Sequence, residues 1–177
     1  GGYKAIQNSG GLVSAILSLS ENFKNNNTQL DNNKIVWAGI ADDFPENFAL
    51  NKFENEHFDI APVSISTELN NLFYGGFCND LIWPLFHYFS SYSVFKNEYF
   101  NAYKEANIKF CDEIVRIIKP GDFIWVHDYQ LMLLPEMIRE RIPDANIGFF
   151  LHIPFPSFEI FRLLPRQWRE SIVKGML

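Results

Sequence analysis

Disulfide, metal, membrane and nucleic-acid chemistry all find little support in this 177-residue chain. Only two cysteines occur, Cys78 and Cys111, with neither a metal-binding nor a redox spacing, so a reducing, cytoplasmic setting is the expectation. No apolar run is long enough for a membrane span. The richest stretch, Ile147 to Leu164, is broken by His152, Pro154, Pro156, Glu159 and Arg162. The chain opens without a signal-peptide pattern. A basic excess is also missing: 15 Lys+Arg stand against 21 Asp+Glu, a formal charge of −6 that argues against a general nucleic-acid binder. His87, His127, Asp128 and His152 lack the short helical spacing of a zinc site, and no Gly-x-Ser-x-Gly elbow supports a serine nucleophile. Internal repeats and low-complexity tracts are absent.

What is present reads as globular. The chain is 47% apolar and 20% charged, and its length suits a single domain. Aromatic residues make up 16%, led by 18 Phe, which points to a large buried core or to a surface that something else covers. Gly1-Gly2-Tyr3 opens without methionine and Met176-Leu177 closes inside a helical pattern, so a piece of a longer protein is expected.

Periodicity sets out the elements. After Gly10-Gly11, the positions Leu12, Ala15, Ile16, Leu19 and Phe23 predict an amphipathic helix, followed by an asparagine-rich loop. Lys34 to Gly39 predicts a short strand, Asp42-Asp43 and Pro45 a loop, and Phe58 to Ser66 an extended segment that Pro62 pushes toward a sheet edge. Thr67 to Tyr88 is aromatic-rich and helical in parts, with interruptions expected at Gly75-Gly76 and Pro84. A long helix from about Phe95 to Ile118 carries one apolar stripe, Phe95, Tyr99, Tyr103, Ala106, Phe110, Ile114 and Ile117, and Pro120-Gly121 stops it. Phe123 to Val126 and Ile147 to Leu151 are continuous apolar runs, each followed by a helix: a proline-entered one over 134–141 and a Ser157-capped one. Such runs predict parallel strands buried on both faces of a doubly wound α/β sheet.

The ends of those two strands carry the polar groups. One runs into His127-Asp128-Tyr129, the other into His152. Ligands bind outside the carboxyl ends of strands in an open parallel sheet, which puts Asp128 and His152 at one rim. Asp128 could accept hydrogen bonds from ligand hydroxyls; equally, it could cap the next helix, with His152 a satisfied, partly buried histidine. Gly10-Gly11 before a helix suits either close approach of a phosphate or a plain tight turn, and the turn is the simpler account. Tyr74 and Trp83 have polar edges on large flat bodies, able to bind a phosphate while walling a sugar site, or simply to fill core. Arg139, Arg141, Arg162, Arg166 and Arg169 fall on solvated helix faces, and the two cysteines read as small buried residues.

These motifs add up to a resemblance. Phe123-Ile-Trp-Val-His-Asp-Tyr-Gln-Leu131, Ile147-Gly-Phe-Phe-Leu-His-Ile-Pro-Phe-Pro156 with Glu159-Ile-Phe161, Gly10-Gly-Leu-Val-Ser-Ala15 and Leu81-Ile-Trp-Pro-Leu-Phe-His-Tyr88 resemble blocks of the trehalose-6-phosphate synthases, glycosyltransferase family 20, in the same order. The resemblance covers nearly the whole chain. It implies one Rossmann-like half of a two-domain GT-B enzyme. That enzyme moves glucose from UDP-glucose to glucose 6-phosphate with retention, and requires neither metal nor cofactor.

By motif, Tyr74 and Trp83 resemble the pair that contacts the acceptor phosphate. Asp128 resembles the residue holding acceptor hydroxyls, and His152 the histidine at the reacting glucose. Gly11 is similar to the backbone contact to the donor, with Gly10 allowing its approach. Residues 1–177 would then be the acceptor-side N-terminal domain, lacking its first strand and the C-terminal donor-binding domain, and inactive alone. A homo-oligomer is left open. The chain departs from the family at Trp37-Ala-Gly-Ile40, where the family commonly has a second Trp; Ile40 has no indole N–H. Two other readings stay beside this one: a synthase with another sugar- or polyol-phosphate acceptor, and a non-catalytic regulatory or scaffold homologue.

Overall fold

The computed structural model describes residues 35–41 and 59–177. Gly10, Gly11, the helix expected after them, the asparagine-rich loop and the loop at 42–45 lie outside the described residues. The chain divides into two compact units, residues 1–39 with 44–62 and residues 40–43 with 63–177.

In the first unit, strands β1 (Val36–Ala41) and β2 (Asp59–Ser64) pair in a two-stranded sheet, and both run on into the sequence of the second unit. The Asp59 N–H donates to the Ile35 carbonyl at 2.9 Å. Both strands overlap the segments expected to be extended, Lys34 to Gly39 and Phe58 to Ser66, the first lying about two residues later than expected. Ala61, Val63 and Ile65 are buried at the two-residue period of a strand.

The second unit begins with one continuous helical run: α1 (Thr67–Asn70), a π-helical segment (Asn71–Ile82) and α2 (Trp83–Phe86). The Ser66 hydroxyl caps it by accepting from the Leu69 N–H at 3.2 Å. The interruptions expected at Gly75-Gly76 and Pro84 do not occur, for two physical reasons. A Cβ on Gly76 would lie 2.6 Å from the Tyr99 ring, so this glycine serves close packing, not a turn. Pro84 has no N–H, but the Asp80 carbonyl accepts from the Val94 N–H instead, at 2.8 Å.

Helix α3 (Asn97–Ile117) buries Tyr99, Tyr103, Ala106, Phe110 and Ile114 as its stripe predicted, whereas Phe95 precedes the helix and is exposed. The chain turns beyond it at Gly121, whose φ of 90° suits a residue without a Cβ. Much of the aromatic content is core here. The ring centroids of Phe77 and Tyr103 are 4.2 Å apart, and Phe100 stacks on Trp168 at 4.9 Å. Burial stabilises by roughly 1.5–3 kcal/mol for each such side chain.

Strand β3 (Phe123–His127), helix α4 (Leu134–Arg141) and strand β4 (Asn146–Phe150) form a βαβ unit. The strands are parallel, in a register from Phe123 opposite Asn146 to His127 opposite Phe150. The expected parallel pairing is present, but burial on both faces is not. Phe123, Trp125 and Phe150 are 65%, 47% and 51% exposed, whereas Val126 is buried. Alternation explains the split, because Phe123, Trp125 and His127 share one face and Ile124 and Val126 the other. Helices α5 (Phe158–Phe161) and α6 (Arg166–Met176) complete the unit, and α6 packs on α4. Ser157 occupies the N-cap of α5, but its hydroxyl caps no backbone group; its N–H donates to the Tyr88 hydroxyl at 2.9 Å. Among the described residues no helix is long and apolar enough to cross a membrane.

Candidate functional site

Asp128 follows directly on β3 with φ 70° and ψ 175°. This is a region almost confined to glycine, and holding another residue there costs about 1–3 kcal/mol. Three hydrogen bonds offset the strain. The Asp128 N–H donates to the Phe150 carbonyl at 2.7 Å, which extends the β3–β4 ladder by one step. Its Oδ1 accepts from the Tyr129 N–H at 2.9 Å and from the His152 N–H at 3.2 Å. Asp128 therefore caps the following 3-10 turn (Tyr129–Leu131) and binds the second strand's end at once. Asp128 thus caps the turn while standing at the rim: Oδ1 accepts both backbone bonds, and Oδ2 takes part in neither.

His152 arrives at the same rim from β4. Its Nε2 lies 3.0 Å from Nδ1 of His127, and the two rings stack with centroids 5.3 Å apart. Burial, and then His152, hold the His127 imidazole below its usual pKa, while Asp128 pulls the other way. The rim thus carries one carboxylate and two adjoining imidazoles.

Tyr74 and Trp83 stand on the helical run, 44% and 46% exposed. Nine positions in an α-helix would put them on opposite faces. The π segment has about 4.4 residues per turn, so nine positions are close to two full turns and both rings share a face. The Trp83 N–H donating to the Cys78 carbonyl shows the five-residue bonding directly. Tyr129 joins this face to the rim: its ring centroid is 5.7 Å from that of Trp83, its hydroxyl donates to Asn79 Oδ1 at 3.4 Å, and its N–H is held by Asp128. Burial raises the Tyr129 pKa, with Cys78, Tyr74 and Asp128 adding to the shift, so the phenol stays protonated.

Buried groups behind the rim fix the turn. The fully buried Tyr103 hydroxyl donates to the Tyr129 carbonyl at 2.8 Å and accepts from the Met132 N–H at 2.9 Å. Asn107 donates to the Gln130 carbonyl at 3.1 Å. The thiol of Cys78 is pushed well up by burial and then by Asp128, and that of Cys111 up by burial, which suits inert core residues. Arg141 pairs with Asp112, and Arg166 with Glu170 at 2.6 Å, in line with solvated faces.

The structure therefore brings together Asp128 and His152, and through Tyr129 the pair Tyr74 and Trp83. Gly10 and Gly11 lie outside the described residues. Sequence reasoning missed Tyr129, Asn79, Tyr103 and the pairing of His127 with His152. The signal for the last was the placement of both histidines at neighbouring strand ends. Among the described residues no group of three or more His, Cys, Asp or Glu could hold a metal ion.

Comparison with known proteins gives a consistent result. The family model described as Glycosyltransferase family 20 matches residues 2–177. The chain is 40% identical to an alpha,alpha-trehalose-phosphate synthase [UDP-forming] A of Dictyostelium discoideum, over all of this chain and 23% of that protein. It is 41% identical to the 56 kDa subunit of the corresponding synthase of Kluyveromyces lactis, over all of this chain and 36% of the relative. Among solved structures, an apo structure of OtsA superposes with a TM-score of 0.79 at 28% identity, covering 98% of this chain and 36% of that one. A structure described as trehalose-6-phosphate from E. coli bound with UDP-2-fluoro glucose gives 0.78 at 26% identity, with the same coverage.

The fold is thus of the Rossmann-like α/β kind that makes up half of a GT-B protein. The chain belongs to glycosyltransferase family 20. It spans about a quarter to a third of the length of these relatives.

Proposed function

We propose that residues 1–177 are the acceptor-side N-terminal domain of a longer enzyme that transfers glucose from UDP-glucose to glucose 6-phosphate, with retention, to give trehalose 6-phosphate. The observation that carries the reading is the joining of Asp128 and His152 at one strained strand end, in a chain matched along its length by UDP-forming trehalose-phosphate synthases. Tyr74 and Trp83 offer a hydroxyl and an indole N–H from one face, which suits the acceptor phosphate. Asp128 Oδ2 suits acceptor hydroxyls. His152 is placed to hydrogen-bond the transferring glucose, and Gly10 and Gly11 would let the donor approach the backbone.

No carboxylate of this set is needed as a nucleophile. The acceptor hydroxyl attacks from the side on which UDP leaves, and the leaving phosphate takes its proton. Positioning and charge stabilisation then carry the rate. The domain alone is inactive, because the donor-binding half supplies the rest of the cleft.

The test is calorimetry on the full-length protein with UDP-glucose and a panel of sugar and polyol phosphates, followed by product analysis. Glucose 6-phosphate binding and trehalose 6-phosphate formation are expected. Preference for another phosphate would favour a different acceptor, a reading that Ile40 supports because it offers no indole N–H at an exposed position of β1. Absence of any transfer would favour a regulatory homologue.

A further inference from the structure

His127 is not among the residues assigned to substrates above, yet among the described residues it makes the one side-chain contact of the His152 ring to a polar partner. His152 is tied to its surroundings at two points. Its N–H donates to Asp128 Oδ1 at 3.2 Å, which fixes the backbone. Its Nε2 meets His127 Nδ1 at 3.0 Å, which fixes the ring. The register explains why they meet: His127 pairs with Phe150 at the last step of the parallel ladder, and His152 lies two residues farther on. Aromatic neighbours limit rotation further, with Trp125 4.6 Å from the His127 ring and Phe150 4.8 Å from that of His152.

Two facing ring nitrogens at this distance share a single proton: one is N–H, the other a bare acceptor. The tautomer of each ring then depends on the other. We propose that His127 is a positioning residue, which engages Nε2 of His152 and so presents Nδ1 of His152 to a sugar hydroxyl. This rests on the reading that His152 bonds the transferred glucose. Loss of the contact frees the His152 ring to rotate and to exchange tautomers, while leaving the backbone bond to Asp128 in place.

The experiment compares His127→Phe and His127→Asn in the full-length protein. Phenylalanine keeps ring bulk beside Trp125 but has no nitrogen; asparagine restores a polar atom near the Nδ1 position. In His127→Phe, kcat/KM for UDP-glucose should fall about tenfold, the worth of one hydrogen bond, while KM for glucose 6-phosphate stays within about twofold. His127→Asn should recover to within about threefold of the parent. Spectra of selectively 15N-histidine-labelled protein without substrates supply a second readout, with His152 assigned by signal loss in His152→Gln. One fixed His152 tautomer is expected in the parent and a mixture in His127→Phe. An unchanged tautomer together with unchanged kcat/KM in His127→Phe would overturn the proposal, as would equal impairment of the two variants. If the parent transfers no glucose, the functional reading fails, and the substrate-free spectra still decide the positioning role.

Discussion

Asp128 concentrates backbone strain, two backbone hydrogen bonds and a free carboxylate oxygen in one residue, and three substitutions separate them. In Asp128→Ala the side chain no longer accepts from the Tyr129 and His152 N–H groups, yet the backbone must still hold φ 70° and ψ 175°. Asp128→Gly loses the same two bonds but removes a strain of about 1–3 kcal/mol. Against that stands about 0.5–1 kcal/mol for the greater freedom of glycine in the unfolded chain. The glycine variant should therefore be more stable than the alanine variant by about 1 kcal/mol, and by at most about 2.5 kcal/mol. In Asp128→Asn the amide oxygen can still accept both N–H groups, and asparagine tolerates positive φ, so stability should stay within about 1 kcal/mol of the parent. All three variants lose the negative Oδ2, and turnover in the full-length protein should fall by about a hundredfold or more.

Hydrogen exchange at the Tyr129 and His152 amides, alongside urea unfolding, measures the stability half; a coupled assay for released UDP measures the other. An alanine variant as stable as the glycine variant would refute the strain argument. Near-normal turnover in Asp128→Asn would refute the ligand role while leaving the structural one intact.

Three further outcomes follow from the packing and the charges. Tyr103→Phe keeps the ring contact with Phe77 but orphans the Tyr129 carbonyl and the Met132 N–H, costing about 2–6 kcal/mol at about 1–3 kcal/mol for each group. Exchange at the Met132 amide should quicken at least tenfold, and unchanged protection would count against the bracket. Gly175→Ala in α6 puts a Cβ against the Met132 carbonyl and 2.8 Å from Leu133 Cα, an overpacking of about 1–3 kcal/mol that a lowered urea midpoint would register. Because His127 has a depressed pKa in the fold, the unfolded chain binds a proton first as pH falls below about 6.5. Its contribution to stability is therefore present at pH 7 and declines on acidification. The Tm of the parent should drop more between pH 7 and pH 5 than that of His127→Gln.

Several features were legible in the chain itself. The 3.6-residue stripe of α3, the proline entry of α4 and the apolar runs of β3 and β4 follow from local periodicity and backbone sterics. The placement of Asp128 and His152 beyond those strands follows from them as well. Ordered motif blocks then pointed to the family, because residues that meet a ligand sit at fixed distances along the elements that carry them.

Tertiary structure decided what depends on the surroundings of each group. Gly76 reads as a breaker until the Tyr99 ring is seen against it, and Pro84 until the Val94 N–H takes the freed carbonyl. The π winding turns Tyr74 and Trp83 onto one face, although their spacing taken as α-helix would set them apart. The positive φ of Asp128, the bracket built by Tyr103 and Asn107, and the shared proton of His127 and His152 each join segments distant in sequence. Periodicity reports which side of an element is apolar. Only packing determines what lies against that side, and hence whether an aspartate at a strand end is relaxed or strained, and which nitrogen of a histidine is left free.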